Sequence, residues 1–270
     1  MREILGRRRR TRSELLSAAL TCAEQWHWPV VPGVGTLPRP TRSTRQTGRM
    51  RTPSRLLDRL RHLSAGPGLP TLAELCGAFA RSAAPGRTGE ERAVEPGRGA
   101  QTPPRPPGSR RCACPRPDCV VPGAHPHDPG LLAATTDPRM VRWWWTTRPD
   151  APIVLATGTA VAAVSLPVVA GLRVLPEFDR AGVRLGPVAA SPTRLTLLVR
   201  PYSLEELGDL LSRYDWVPTS LRYHGSGGYV VLPPSTTGAG AVRWERPPAT
   251  GGAAPWLPAI ESVISALVDA

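Results

Sequence analysis

The sequence predicts an α/β protein whose compact part begins near residue 112 and consists of a mixed β-sheet flanked by helices. Three observations lead there. After Cys112, apolar runs of strand length alternate with amphipathic stretches of helix length, the pattern of one mixed sheet covered by helices. Before it, residues 35–111 are rich in Arg, Pro, Gly, Ser and Thr and hold no strand-like run. Such a segment cannot bury enough apolar surface to offset its ordering entropy. Charge divides at the same place: residues 1–111 carry 21 Arg against 8 acids, whereas residues 112–270 carry 13 of each.

In chain order, Ser13 is placed to cap a helix over 14–26, with Leu15, Leu16, Ala19, Leu20 and Ala23 on one face. Trp28-Pro29-Val30-Val31-Pro32 reads as a short strand stopped by proline and glycine. Two short helices are expected inside 35–111. One is Ser54–Leu63 after Pro53; the other is Leu72–Arg81, where Thr71 and Glu74 have capping-box spacing. Helices of that length are marginal alone, so the region is read as a flexible insertion.

Asp137-Pro138 is a helix start leading into Met140-Val141-Arg142-Trp143-Trp144-Trp145. Strands are expected at Pro152–Ala156 and Val161–Leu166, then a helix at Val168–Asp179, then strands at Leu185–Ala190 and Leu195–Val199. Ser203 and Glu206 form a second capping box opening a helix to about Tyr214. Strands follow at Leu221–His224, Gly228–Leu232 and Ala241–Glu245, and a last helix at Leu257–Val268. The chain thus divides into five parts. Residues 1–34 give the N-terminal helix and first core strand, 35–111 the insertion and 112–130 a metal-binding loop. Residues 131–248 give the α/β core, and 249–270 a linker and C-terminal helix.

Composition narrows the function classes. No run of 18 apolar residues is present, so no membrane span is expected. Arg7 to Arg10 before Leu15–Ala23 superficially mimic a secretion signal. Glu14 and Glu24 bracket that run, however, and an amphipathic helix in a cytoplasmic protein fits it better. Five Cys in 270 residues give no disulfide framework. A basic arm on a neutral domain suggests DNA as the electrostatic partner. All 34 basic residues are Arg, a bias that a GC-rich coding sequence also produces.

Four constellations bear on chemistry. Cys112-x-Cys114-x4-Cys119-x5-His125, with His127 as a spare, offers the three thiolates and one imidazole of a structural zinc site. Pro115, Pro117, Pro122 and Gly123 supply the turns that let nearby residues converge. In Trp143-Trp144-Trp145, consecutive helical residues point about 100° apart, so at least one or two rings belong in the core rather than on a stacking platform. Gly225-Ser226-Gly227-Gly228 feeding Tyr229-Val230-Val231-Leu232 gives either close backbone approach to a ligand or a hairpin, and Pro233-Pro234 must end the ladder. The fourth is an absence. Two-metal nucleotidyl transfer needs carboxylates on neighbouring strands, and the expected strands around Ala162, Thr196 and Arg222 have none. Glu177, Asp179, Glu205, Glu206 and Asp209 fall on expected helices instead.

Taken in order, several stretches resemble the bifunctional DNA primase/polymerase N-terminal domain of the archaeo-eukaryotic primase superfamily. They are Leu15–Pro32, the Cys cluster running into Pro122-Gly123-Ala124-His125-Pro126, Thr135-Thr136-Asp137-Pro138 with Trp143-Trp144, Val154-Leu155-Ala156-Thr157-Gly158, and Gly227-Gly228-Tyr229-Val230-Val231-x-Pro233-Pro234-Ser235. The resemblance implies a palm that binds template DNA and nucleotides and makes primers with Mg or Mn. It implies a pair of acids on the strand after Gly158, an acid just before Gly227, and a phosphate-handling His on the middle strand. This chain departs at each place: it offers Ala162, Ala163 and Ser165, then Arg194 and Thr196, then Arg222 and Tyr223. The expectation is a member without catalytic residues that acts as a DNA-binding or replication-associated regulatory module. Arg194, Arg222, His224, Gly227 and Gly228 are its candidate nucleic-acid or nucleotide contacts, and Cys112, Cys114, Cys119 and His125 its candidate zinc ligands. The rival readings are an active enzyme using Mg or Mn on acids from the helices, and a protein-interaction scaffold with an unknown partner.

Overall fold

The computed structural model describes residues 2–37, 110–249 and 254–268, all within one compact unit. The helices expected at Ser54–Leu63 and Leu72–Arg81 lie outside the described residues. The first helix, α1, spans Arg2–Leu20 and runs on through a π-helical turn at Thr21–Gln25. Ser13 therefore lies inside the helix rather than capping it. Arginine is a good helix former and no proline interrupts residues 2–28, so nothing local delays the start to Ser13. Leu15, Ala19, Cys22 and Ala23 are the residues it buries.

In chain order the strands are β1 (Val30–Pro32), β2 (Thr36–Leu37), β3 (Arg111–Cys112), β4 (Ile153–Ala156), β5 (Ala162–Pro167), β6 (Val188–Ala190), β7 (Arg194–Val199), β8 (Arg222–His224), β9 (Tyr229–Leu232) and β10 (Arg243–Arg246). The later helices are α2 (Pro138–Thr147), α3 (Val168–Arg180), α4 (Leu204–Leu211) and α5 (Ile260–Val268). The α/β class holds. Within it, the strands form a five-stranded sheet ordered β10-β6-β7-β5-β8, a three-stranded sheet β1-β4-β9 and a ribbon β2-β3, where one mixed sheet was expected. The pairs among the described strands are antiparallel. The β–α alternation suggested parallel crossovers, but β6 and β7 are joined by a short turn in which Ser191 Oγ accepts from the Arg194 N–H at 2.9 Å. That turn reverses the chain, and β7 then pairs antiparallel with β5.

The inner strands of the five-stranded sheet, β5, β6 and β7, are largely buried on both faces, while the edge strands β8 and β10 are partly exposed. Ala163 and Leu198 face a first core with Trp28, Trp145, Leu155 and Leu232; Ala162, Val164 and Leu166 face a second with Phe178, Leu207 and Ile264. Two helix starts follow the sequence closely. Asp137 caps α2 by accepting from the Arg139 N–H at 2.8 Å, with Pro138 in the first turn. Ser203 caps α4 by accepting from the Glu206 N–H at 2.9 Å. On α2, Trp144 and Trp145 are buried and Trp143 is exposed, and the Trp145 indole N–H donates to the Ala151 carbonyl at 3.0 Å. Pro233-Pro234 ends β9, and the fully buried Ser235 behind it accepts from the Ile153 N–H at 2.7 Å. Among the described residues no helix is long and apolar enough to cross a membrane.

Gly171 shows how tightly α3 sits on β7. A Cβ there would lie 2.6 Å from Leu195 Cδ2 and 2.7 Å from its Cβ. Alanine in a helix interior normally gains about 1 kcal/mol over glycine, whereas overpacking a core costs about 1–3 kcal/mol. Gly171→Ala should therefore destabilise the fold by about 1 kcal/mol, read as a lower urea midpoint; a raised midpoint would mean α3 can move off β7.

Candidate functional site

Antiparallel register places one residue from each strand of the large sheet in a row. Ser165 of β5 pairs with Thr196 of β7 on one side and Arg222 of β8 on the other. Thr196 pairs with Ala189 of β6, and Ala189 with Trp244 of β10. Residues directly opposite project to the same face, so Trp244, Ala189, Thr196, Ser165 and Arg222 form a continuous row with no carboxylate in it. Ala163 shares this face next to His224, its partner on β8. Ala162 points the other way, into the second core.

Around Ser165 the polar groups converge. Its Oγ lies 2.9 Å from His224 Nε2 and accepts from Arg194 Nε–H at 3.0 Å. Since Arg194 donates, the Ser165 hydroxyl proton is free for His224, whose Nε2 then acts as acceptor. Arg194 Nη2 also donates to the Ser165 carbonyl at 2.5 Å and the Ser220 carbonyl at 3.0 Å, which aims the guanidinium along the strand ends. Burial first, and then the charges of Arg194 and Arg222, push His224 down to about 4. Burial, and secondarily Arg222, also lowers Arg194. The site is thus a neutral imidazole beside two guanidiniums, with a surplus of positive charge.

Gly227 and Gly228 belong to the turn between β8 and β9, where Gly227 has φ +74°. The Gly228 N–H donates to the Gly225 carbonyl at 3.0 Å, so the segment is a tight turn; it is not the hairpin the sequence allowed, because β8 pairs with β5 and β9 with β4 in separate sheets. It packs against the β4–β5 loop. Thr157 N–H donates to the Gly228 carbonyl at 3.0 Å and its hydroxyl to the Gly225 carbonyl at 2.8 Å, while a Cβ on Gly158 would lie 2.3 Å from Ser226 Cα. The glycines here allow two backbones to touch.

The acids on helices stand apart from the row. Helices α3 and α4 bury Leu175, Phe178, Leu207 and Leu210 in the second core, on the opposite face of the sheet. Asp179 is bound by Arg246 and Glu177 by Arg180.

A second cluster forms where the ribbon meets the following loop. One ligand atom each from Cys112, Cys114, Cys119 and His125 lies within 4.8 Å of the others, and together they could hold a metal ion. His125 Nε2 is 3.3 Å from both Cys112 Sγ and Cys119 Sγ. His125 Nδ1 lies 2.9 Å from the Pro126 carbonyl, a contact that fixes Nδ1 as the donor and turns a bare Nε2 toward the sulfurs. His127 is exposed and not in the cluster. The Gly123 N–H donates to Cys112 Sγ at 3.3 Å. Burial raises the Cys112 thiol, but hydrogen bonds from the Cys114 and Gly123 backbones and from the Cys114 and His125 side chains outweigh it and hold it at about 7. Burial is the main cause that lifts Cys119 to about 11.

The family model for the bifunctional DNA primase/polymerase N-terminal domain matches residues 19–258. The chain belongs to that family. No curated protein and no solved structure matches the chain. Of the residues that stand where the primase/polymerase resemblance leads one to expect acids, Ala163, Ser165 and Arg222 share one face, whereas Ala162 and Tyr223 belong to the opposite core. The links from Ser165 to His224 and Arg194 were not readable in the sequence. They arise from cross-strand register, and only the pairing of β5 with both β7 and β8 could have announced them.

Proposed function

We propose that this primase/polymerase-family domain has exchanged metal-dependent nucleotide joining for metal-free binding of DNA phosphates. One observation carries the reading: the row of the palm where paired acids would hold Mg or Mn instead presents Ser165 and Thr196 with Arg194, Arg222 and His224 around them. Two guanidiniums repel a divalent ion and attract a phosphate: the exposed Arg222 can bind it by paired N–H donors, and Arg194, whose Nε and Nη2 are engaged with Ser165 and Ser220, through Nη1. Without carboxylates the ions that stabilise the leaving and attacking oxygens have no seat. Arg194, Arg222 and His224 are the proposed phosphate contacts, and the Gly227-Gly228 turn closes the rim. The protein then works in the cytoplasm as a replication-associated binding or regulatory module.

The Cys cluster supports a structural zinc ion. Ordinary Zn–S and Zn–N bonds in a tetrahedron give an S···N edge of about 3.6 Å, close to the 3.3 Å separations of His125 from Cys112 and Cys119. Four protein ligands leave no open position for chemistry. Zinc here would fasten the loop to the core.

The test is a titration of a fluorescent single-stranded oligonucleotide in chelator at several salt concentrations. Binding should weaken steeply with salt, and Arg222→Ala should reduce the log–log slope by about 1. No binding at low salt removes the reading. Primer extension with Mg or Mn should stay at the level of a heat-killed control; incorporation above it would show that acids reach the row from elsewhere.

A further inference from the structure

A second place on the molecule gathers cations without acids, in a cavity of about 770 Å³ between the segment after α3 and the approach to α5. Pockets for small ligands run to about 300–1,000 Å³. Its walls include Arg184, Arg200, Trp256, Pro258 and Ser262. The Arg184 guanidinium lies 4.2 Å from the Trp256 ring centroid. Trp256 is still 46% exposed, so ring area is left for another flat group. Arg184 and Arg200 are exposed, and neither is in an ion pair with a carboxylate among the described residues. The acid in the first turn of α5, Glu261, is taken by Arg213 at 2.9 Å.

The walls are joined by backbone rather than by loose side chains. The Arg200 N–H donates to the Pro258 carbonyl at 2.8 Å. At Gly186 a Cβ would sit 3.0 Å from Pro258 Cδ and 3.1 Å from the Trp256 carbonyl, so the two chain segments are packed closely together there. The two sides are therefore held at a set separation before any ligand arrives.

We propose that this cavity binds a nucleoside phosphate, with the base stacked against Trp256 and the phosphate held by Arg184 and Arg200. A bare anion would gain nothing from the indole, and an apolar ligand would leave two guanidiniums unmatched. A flat, charged ligand uses both, and every base has a face to stack. The site goes beyond the row on the palm and does not depend on it. Arg200 follows the far end of β7 from Arg194, about 20 Å away at strand rise. The ligand chemistry has two sources, a free nucleotide and a nucleotide within a single strand.

The experiment is calorimetric titration of the full chain in chelator with dATP, with inorganic phosphate, and with a 12-residue oligo(dT). The oligonucleotide arm is run in an Arg222→Ala background so that the row contributes less. Trp256→Ala and the double change Arg184→Ala/Arg200→Ala should each weaken dATP about tenfold or more, while Trp256→Phe keeps the stack and most of the affinity. Phosphate alone should bind far more weakly than dATP. Equal affinity for dATP and oligonucleotide assigns the site to free nucleotide; tighter oligonucleotide binding that the same changes remove assigns it to a strand. Two results overturn the proposal: dATP and oligonucleotide binding that these substitutions leave unchanged, or phosphate binding as tightly as dATP. Both differ from failure of the palm reading, which shows in the salt titration as oligonucleotide binding by the unsubstituted chain that Arg222→Ala leaves unchanged.

Discussion

Cys112→Ser or Cys119→Ser should abolish stoichiometric zinc binding by the full chain and release the segment that leads from β3 to α2. The expectation rests on how that segment is attached. Cys112 ends a two-residue strand paired with Thr36, and Val34 N–H donates to the His125 carbonyl at 3.0 Å. Gly238 N–H reaches the Pro122 carbonyl at 2.6 Å, and a Cβ at Gly123 would strike Thr36 Cγ2 at 2.7 Å. These contacts are few and mostly backbone, while Val120 and Val121 stay exposed, so the loop has little apolar burial of its own. An ion held by the four ligands would supply what the loop lacks. Structural zinc in small peptides contributes about 10–16 kcal/mol of apparent binding energy at neutral pH, most of it expressed as folding. Amide hydrogen exchange should rise across 110–127 when the metal is stripped, with the two-core sheet little affected. Metal content near one per chain in both Ser variants would overturn the assignment.

Local chemistry was legible in the sequence wherever it is local in the chain. The Asp137 and Ser203 caps act within three residues, and the zinc-type cluster is written in four residues that lie within 14 of one another. Helix α3 and strand β5 fall within a residue of their expected positions because their apolar periods are clean. Long-range pairing was not legible. Nothing in Val30–Pro32 says that it will pair with Ile153–Ala156, and nothing in Ser235 says that it will complete β4 by taking the Ile153 N–H. The same limit explains the site. The absence of acids could be read strand by strand. That Ser165, Arg194 and His224 would touch could not, because shifting β8 by one residue would turn His224 into the second core.

His224 should make the fold acid-labile in a definite window. Burial and the neighbouring charges of Arg194 and Arg222 hold its folded pKa at about 4, against an ordinary value of 6.5. Between those two values the unfolded chain binds a proton that the folded chain refuses, so stability rises with pH and is lost as pH falls from 6.5 toward 4. The shift corresponds to about 3 kcal/mol across the window. Carboxylates titrate near its lower edge in any protein, so the informative quantity is the difference between the native chain and His224→Gln, whose amide can still accept from Ser165. Urea midpoints measured from pH 7 to pH 4 should fall less in the variant by that amount, and parallel curves would show that His224 is not buried as a neutral base. DNA affinity should move the opposite way. Burial is the larger cause that keeps His224 neutral, and a phosphate between Arg194 and Arg222 would offset the smaller one, their charges, so binding favours a proton on the ring. Oligonucleotide affinity should therefore rise as pH falls from 7 to 5 by linkage, and His224→Gln should remove most of that rise. An affinity profile unchanged by the substitution would place the phosphate away from His224.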